Sequence, residues 1–201
     1  MKQVFLKILG IGLLIALGAC TEVEEQKPSR GSVASAHPLA TQAGMEVLQK
    51  GGTAFDAAIA IAATLNVVEP MMSGLGGYGT ILIYDAKGKK IRFLNASGRF
   101  PVQSNSDLMR APTPNFMGNR VGPKSISTPG NLNAWDLMHS EYGTLEWNTL
   151  FNRAIDHAKN GFEISPNTAK WIATAFQDFS PYTKGFYGKN NKPLELSLIH
   201  I

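Results

Sequence analysis

The run Ala57-Ala58-Ile59-Ala60-Ile61-Ala62-Ala63 constrains the fold of this chain more than any other stretch. Alanine gives up no side-chain entropy in a helix, and Thr53 and Asp56 stand just upstream at the N-cap and N3 spacing of a capping-box variant. A helix apolar on every side is expected to be buried on every side. Its methyl side chains let a neighbouring helix or sheet approach closely, so it should be a central element of a layered fold. A partner helix precedes it. Pro38 pre-sets a first helical backbone angle, Leu39, Ala43, Val47 and Leu48 recur at helical spacing, and Gly51-Gly52 ends the pattern. This predicts a helix from about Pro38 to Lys50.

After Glu69-Pro70 the pattern changes. Met71-Met72-Ser73-Gly74-Leu75-Gly76-Gly77-Tyr78-Gly79 leads into Thr80-Ile81-Leu82-Ile83-Tyr84, and a polar turn through Gly88 leads into Ile91-Arg92-Phe93-Leu94. Two β-branched and aromatic runs about a polar turn predict a hairpin. Gly74, Gly76 and Gly79 match G-x-G-x-x-G formally, but a dinucleotide site needs strand, glycines and helix in that order. Here the helix comes first, and no Gly-Lys-Ser/Thr follows to make a phosphate loop. Gly74, Gly76 and Gly77 therefore read as a structural glycine loop that shapes the core or a site wall. Residues 102–124, with Pro112, Pro114 and Pro123, read as irregular. Three helices should follow: about Leu132 to Glu141, Trp147 to Asn160 with Gly161 as its stop, and Pro166 to Phe179 capped by Ser165.

Composition narrows the chemistry. With 44% hydrophobic residues, 20 Gly and 11 Pro in 201 residues and no Gly-X-Y period, the chain is globular rather than disordered or collagen-like. A net charge of +4, scattered along the chain, gives no nucleic-acid footprint. The single Cys excludes an internal disulfide and a multi-Cys zinc site. His37, His139, His157 and His200 lack the spacing of metal ligands, and His139 and His157 are expected on helix surfaces. No G-x-S-x-G elbow is present.

That Cys has a place. Lys2 and Lys7 precede an apolar run, Ile8 to Leu17, too short for a membrane span of roughly 20 residues but suited to a signal-peptide core. Leu17-Gly18-Ala19-Cys20 resembles the bacterial lipoprotein box, with Cys20 as the lipidated residue. Residues 1–19 are then a lipoprotein signal peptide and 20–31, largely polar from Thr21 to Gly31, a flexible tether. Loss of Lys2 and Lys7 lowers the 19 basic residues to 17 against 15 acidic, a net +2. The expected location is the bacterial cell envelope, lipid-anchored on the periplasmic side; Thr21 after the Cys favours the outer membrane if the cell is Gram-negative.

The order of segments says more than any one of them. Ala36-His37-Pro38-Leu39-Ala40 with Gly44, Leu48-x-x-Gly51-Gly52-x-Ala54-x-Asp56-Ala57-Ala58, and Val68-Glu69-Pro70-x-x-Ser73-Gly74-x-Gly76-Gly77 come in sequence. Pro129-Gly130, Tyr142-Gly143 and Ala154-x-x-x-Ala158-x-x-Gly161-Phe162 follow. From about Ala34 to Ala173 this closely resembles the gamma-glutamyltranspeptidase family. The resemblance implies an α+β fold, the four-layer αββα sandwich of the N-terminal-nucleophile hydrolases, with residues 32–190 as the N-terminal part of the large subunit. It also implies a precursor that cuts itself in two. The new N-terminal Thr of the small subunit attacks a gamma-glutamyl amide such as glutathione, its own α-amine acting as base, and no metal or organic cofactor takes part. The implied partners are an amide substrate, the chain's own small subunit and the membrane.

Two departures qualify the resemblance. The matched residues all belong to the large subunit and the Thr that opens the small subunit is not among them, so this chain holds no catalytic residue and is expected to be inactive alone. Residues 191–201 read as a truncated or non-native tail: Leu196-Ser197-Leu198-Ile199-His200-Ile201 leaves the family pattern and resembles translated adapter sequence. The family also follows its second hairpin strand with Asp-x-Arg-Glu-x-Ala-Pro, whose Arg grips the glutamyl α-carboxylate. Asn95-Ala96-Ser97-Gly98-Arg99-Phe100-Pro101 puts Ser97 at that position, and a hydroxyl is no substitute for a bidentate charged pair. Ser97 and Arg99 are the substrate-side candidates. The Asn-x-Ser-Gly-Arg pattern resembles the family's acylase-like branch, which opens a different amide as the alternative substrate. A lipid-anchored binding or scaffold protein without the nucleophile is the alternative from another class.

Overall fold

The computed structural model describes residues 31–105, 125–194 and 198–199; the expected signal peptide, Cys20, most of the expected tether and most of the proline-rich stretch lie outside them. Helix α1 spans Pro38–Gln49. Pro38 occupies its first turn, and His37 Nδ1 accepts from Leu39 N at 3.2 Å as the N-cap. At the other end Gly51 takes a φ of +88°, and Gly51 N and Gly52 N donate to Leu48 O and Val47 O, each at 3.0 Å. This is a Schellman ending, which needs a left-handed residue and finds it in glycine. Helix α2, Ala54–Val68, starts in the expected capping box: Asp56 N donates to Thr53 Oγ1, and Thr53 N donates to Asp56 Oδ2 at 2.8 Å.

The core forms around α2. Ala57, Ile59, Ala60 and Ala63 are buried with Val47, Ile83, Trp135, Met138, Leu150 and Ala154. The expectation of burial on every side is corrected, because Ala54 and Ala58 are exposed and Ile61 is half-buried. They line an open groove of about 560 Å³ with Val33, Ala34 and Gly52, since no described element covers that face. A second cluster of Val68, Phe162, Ile164, Ile172 and Phe176 closes the far end of α2.

Strands β1 (Thr80–Asp85) and β2 (Lys90–Asn95) form the expected antiparallel hairpin, with Thr80 opposite Asn95 and Asp85 opposite Lys90. Asp85 Oδ1 accepts from Lys87 N and Gly88 N and so stabilises the turn. Ile81 and Ile83 pack toward the helices. On the opposite face Leu82 pairs with Phe93 and Tyr84 with Ile91, and all four are exposed.

Helix α3 spans Asn131–Tyr142, one residue longer at each end than the periodicity predicts. The single helix expected over Trp147–Asn160 is corrected: Trp147–Phe151 forms a 3₁₀ turn and α4 covers Asn152–Asn160. Thr149 bonds back to Glu146 O through both its N–H (3.0 Å) and its hydroxyl (2.7 Å), a tighter closure than an α-helical turn makes. The two-residue strand β3, Phe162–Glu163, follows. The next helix is corrected likewise. Helix α5 covers Pro166–Ala175, Phe176–Asp178 is 3₁₀, and a further helix α6 spans Pro181–Tyr187. Short strands β4 (Gly188–Lys189) and β5 (Lys192–Pro193) pair with each other, and β6 (Leu198–Ile199) pairs with β3.

Candidate functional site

The hairpin register brings the two segments singled out by sequence side by side. Ala96 N donates to Gly79 O at 3.0 Å, one step beyond the last strand pair. The glycine loop entering β1 and the Ser97-Gly98-Arg99 segment leaving β2 are therefore neighbours. Thr128-Pro129-Gly130, the run into α3, presses against both. A Cβ on Gly98 would lie 1.7 Å from Thr128 O, and one on Gly130 would lie 2.1 Å from Ala96 O. Only residues without a side chain let these backbones approach so closely.

Of the three glycines in the structural loop, Gly77 is confined: its Cβ would lie 2.9 Å from Gly74 O and 3.1 Å from Asn131 Nδ2. Gly74 and Gly76 face open space. The loop is tied at two points. Ser73 Oγ donates to Asn66 Oδ1 at 2.7 Å, and Asn131 Nδ2 donates to Gly74 O at 2.9 Å. Sequence reasoning passed over Asn66, Thr128 and Asn131. For Asn131 the signal was a polar residue directly after Pro129-Gly130 at a helix entrance.

Ser97 is exposed, and its N–H donates to Asn95 Oδ1 at 3.0 Å, which fixes the turn out of β2. Arg99 is exposed with no ion pair or hydrogen bond among the described residues. Its counterpart on β2 is occupied. Arg92 is bound to Glu141 and to the Tyr142 hydroxyl, and Tyr142 in turn stacks on Phe55 at 4.3 Å. Among the described residues Arg99 is thus an available cation at the junction. An apolar pocket of about 260 Å³ opens beside the approach to the glycine loop, walled by Met71, Trp171, Ile172, Phe179 and Tyr187. Burial pushes the Tyr187 hydroxyl pKa up.

Helix α3 carries the junction on a rigid support. Asp56 is fully buried, and Thr144 donates to it through its N–H (3.1 Å) and hydroxyl (3.0 Å). Thr53 Oγ1 donates to Tyr142 O at 3.1 Å. Burial alone would raise the Asp56 pKa, but the hydrogen bonds from Thr53 and Thr144 outweigh it and leave the carboxyl below its usual range. His139 corrects the surface expectation: its ring sits edge-on to Trp147 at 5.2 Å, and Nε2–H donates to Leu145 O at 2.8 Å. The half-buried His157 ring lies 6.4 Å from that of Phe162. Burial, the dominant influence, lowers the His37 pKa. Among the described residues no group of three His, Cys, Asp or Glu side chains could hold a metal ion.

The family model described as gamma-glutamyltranspeptidase matches residues 40–197. A glutathione hydrolase proenzyme of Bacillus subtilis is 34% identical over 169 residues, 82% of this chain and 29% of that protein. An acylase ACY 1 proenzyme from a Pseudomonas species is also 34% identical, over 78% of this chain and 30% of its own length. The solved gamma-glutamyltranspeptidase of Helicobacter pylori superposes with a TM-score of 0.72 at 31% identity, over 85% of this chain and 50% of that one. The chain therefore spans less than a third of the length of these two curated relatives. Its fold is α+β, that of the N-terminal-nucleophile hydrolases. By the extent of the family match and the agreement in fold, this chain belongs to the gamma-glutamyltranspeptidase family.

Proposed function

We propose that this chain is the N-terminal part of the large subunit of an exported gamma-glutamyl amide hydrolase or transpeptidase, with Ser97 and Arg99 on the substrate side of its site. The observation that carries this reading is the junction itself, where Arg99, exposed and without an ion pair or hydrogen bond among the described residues, lies three residues beyond the Ala96–Gly79 bond to the glycine loop in a chain of this family. A guanidinium can hold an α-carboxylate through two parallel N–H donors, and the Ser97 hydroxyl can add a third. The nucleophile in this reading is a Thr that opens the small subunit, activated by its own α-amine. Glutathione-type amides are the proposed substrates and the small subunit is the proposed partner. The test uses the full-length gene product. It should cut itself into two chains and hydrolyse a gamma-glutamyl anilide, and Arg99→Ala should raise KM at least tenfold. Self-cleavage without any change of KM in Arg99→Ala would remove Arg99 from the site.

A second reading, an acylase of the same family, is favoured by Ser97 at the position of the family's Arg and by the apolar pocket beside Met71, which has room for an apolar acyl group. Faster hydrolysis of an acyl amide than of the gamma-glutamyl anilide would select it. Cys20 is proposed as the lipid anchor that holds the protein on the periplasmic side of the envelope. Cys20→Ser should move the protein from the membrane to the soluble fraction, and full retention on the membrane would count against the anchor.

A further inference from the structure

The glycine loop reaches its place through one side chain of α3. Gly74 O accepts from Gly77 N within the loop at 2.9 Å and from Asn131 Nδ2 across 57 residues at 2.9 Å. Both lone pairs of that carbonyl are thus engaged, one closing the turn and one fastening it to α3. Gly130, next to Asn131, meets the Ala96 carbonyl and the Gly98 amide of the other loop. Two consecutive residues therefore hold the two walls of the junction in register. Helix α3 is itself fixed, with Ala134, Trp135 and Met138 buried and its C-terminal end tied to α2 through Tyr142, Thr144 and Asp56. A support of this rigidity transmits a small change at Asn131 to the loops rather than absorbing it.

We propose that Asn131 is a positioning residue of the substrate site: its carboxamide sets the glycine loop relative to Ser97-Gly98-Arg99 and so fixes where the substrate's acyl portion lies. The inference rests on the proposed function in assigning substrate to this junction. Asn131 touches loop backbone rather than reacting atoms, so its loss should weaken substrate binding more than turnover.

The test is Asn131→Asp in the full-length gene product, because this isosteric change removes the N–H donor and leaves the shape. Self-cleavage should persist. KM for the preferred amide should rise about tenfold with kcat within about threefold, between the roughly fivefold effect of one hydrogen bond and the ~100-fold effect of a 1 Å misplacement. Amide hydrogen exchange of residues 73–79 should quicken while that of residues 54–68 stays unchanged. Wild-type KM and wild-type exchange in Asn131→Asp would overturn the proposal. If the wild-type protein hydrolyses neither amide class, the functional reading fails, whereas the exchange comparison still decides whether Asn131 holds the loop. Should Asn131→Asp fail to fold, Asn131→Ser is put through the same exchange measurement, with faster exchange at 73–79 expected and unchanged exchange refuting.

Discussion

Replacing Asp56 tests how the end of α3 is held. Its carboxylate accepts from Thr53 N at 2.8 Å and from Thr144 N at 3.1 Å, with both threonine hydroxyls 3.0 Å away. In Asp56→Ala the hydroxyls can turn elsewhere, as Thr53 already can toward Tyr142 O, but the two backbone N–H groups lose their acceptors. Thr53 is half-buried and Thr144 exposed, so water reaches part of what Asp56 held, and the lower end of the roughly 1–3 kcal/mol cost per lost partner applies to each donor, about 2 kcal/mol in all. For a chain of this length that is a fall in Tm of about 6 °C. Asp56→Asn keeps the shape and one acceptor oxygen but turns an amide toward donors, so about half the loss is expected. The sign of the pH dependence follows from a folded pKa below the unfolded value of about 3.9. The stabilisation is complete above about pH 4 and is lost as the pH falls through the folded pKa. Thermal melts from pH 3 to 7 should therefore show a gap between wild type and Asp56→Asn that is wide at pH 6 and closes in acid. A gap of constant size, or a loss under about 1 kcal/mol in Asp56→Ala, would refute the reasoning.

Gly98→Ala should cost about 3 kcal/mol, the upper end for overpacking, because its Cβ meets the Thr128 backbone; Gly76→Ala, with nothing within 4 Å and no left-handed φ, should stay within about 0.5 kcal/mol. Equal melting temperatures for the two variants would count against the close approach at the junction. Arg153 holds Glu46 through bonds of 2.8 and 2.5 Å, and the hydrogen bond from Arg153 is the main reason the Glu46 pKa is lowered. Because the pair is partly exposed, Arg153→Ala should cost no more than about 1 kcal/mol, and the difference should shrink in high salt and below about pH 4. A difference insensitive to both would place the effect in packing.

Local rules read out much of this fold because the deciding atoms are close in sequence. The capping box of Thr53 and Asp56, the Gly51-Gly52 ending and the Ser165 cap each lie within five residues of the atoms they satisfy. Ser180-Pro181 with Thr183 repeats Ser165-Pro166 with Thr168, down to Ser Oγ accepting from Thr N at 3.1 Å in both, so α6 was legible by the rule that located α5. The 3₁₀ turns escape such rules, since apolar spacing does not distinguish an i+3 from an i+4 closure over five residues. What remained hidden depends on distance along the chain. Asp56 looks like half of a capping box, yet it also binds Thr144, 88 residues away. Asn131 reads as a helix entrance, yet its partner is Gly74. Ser97 and Arg99 could be singled out by position within a motif, but only the approach of Gly98 to Thr128 and of Gly130 to Ala96 shows that three separate segments form one junction. The same holds for the exposed row of Leu82, Tyr84, Ile91 and Phe93: alternation along each strand is visible in sequence, whereas the face left uncovered is decided by which helices pack against the other.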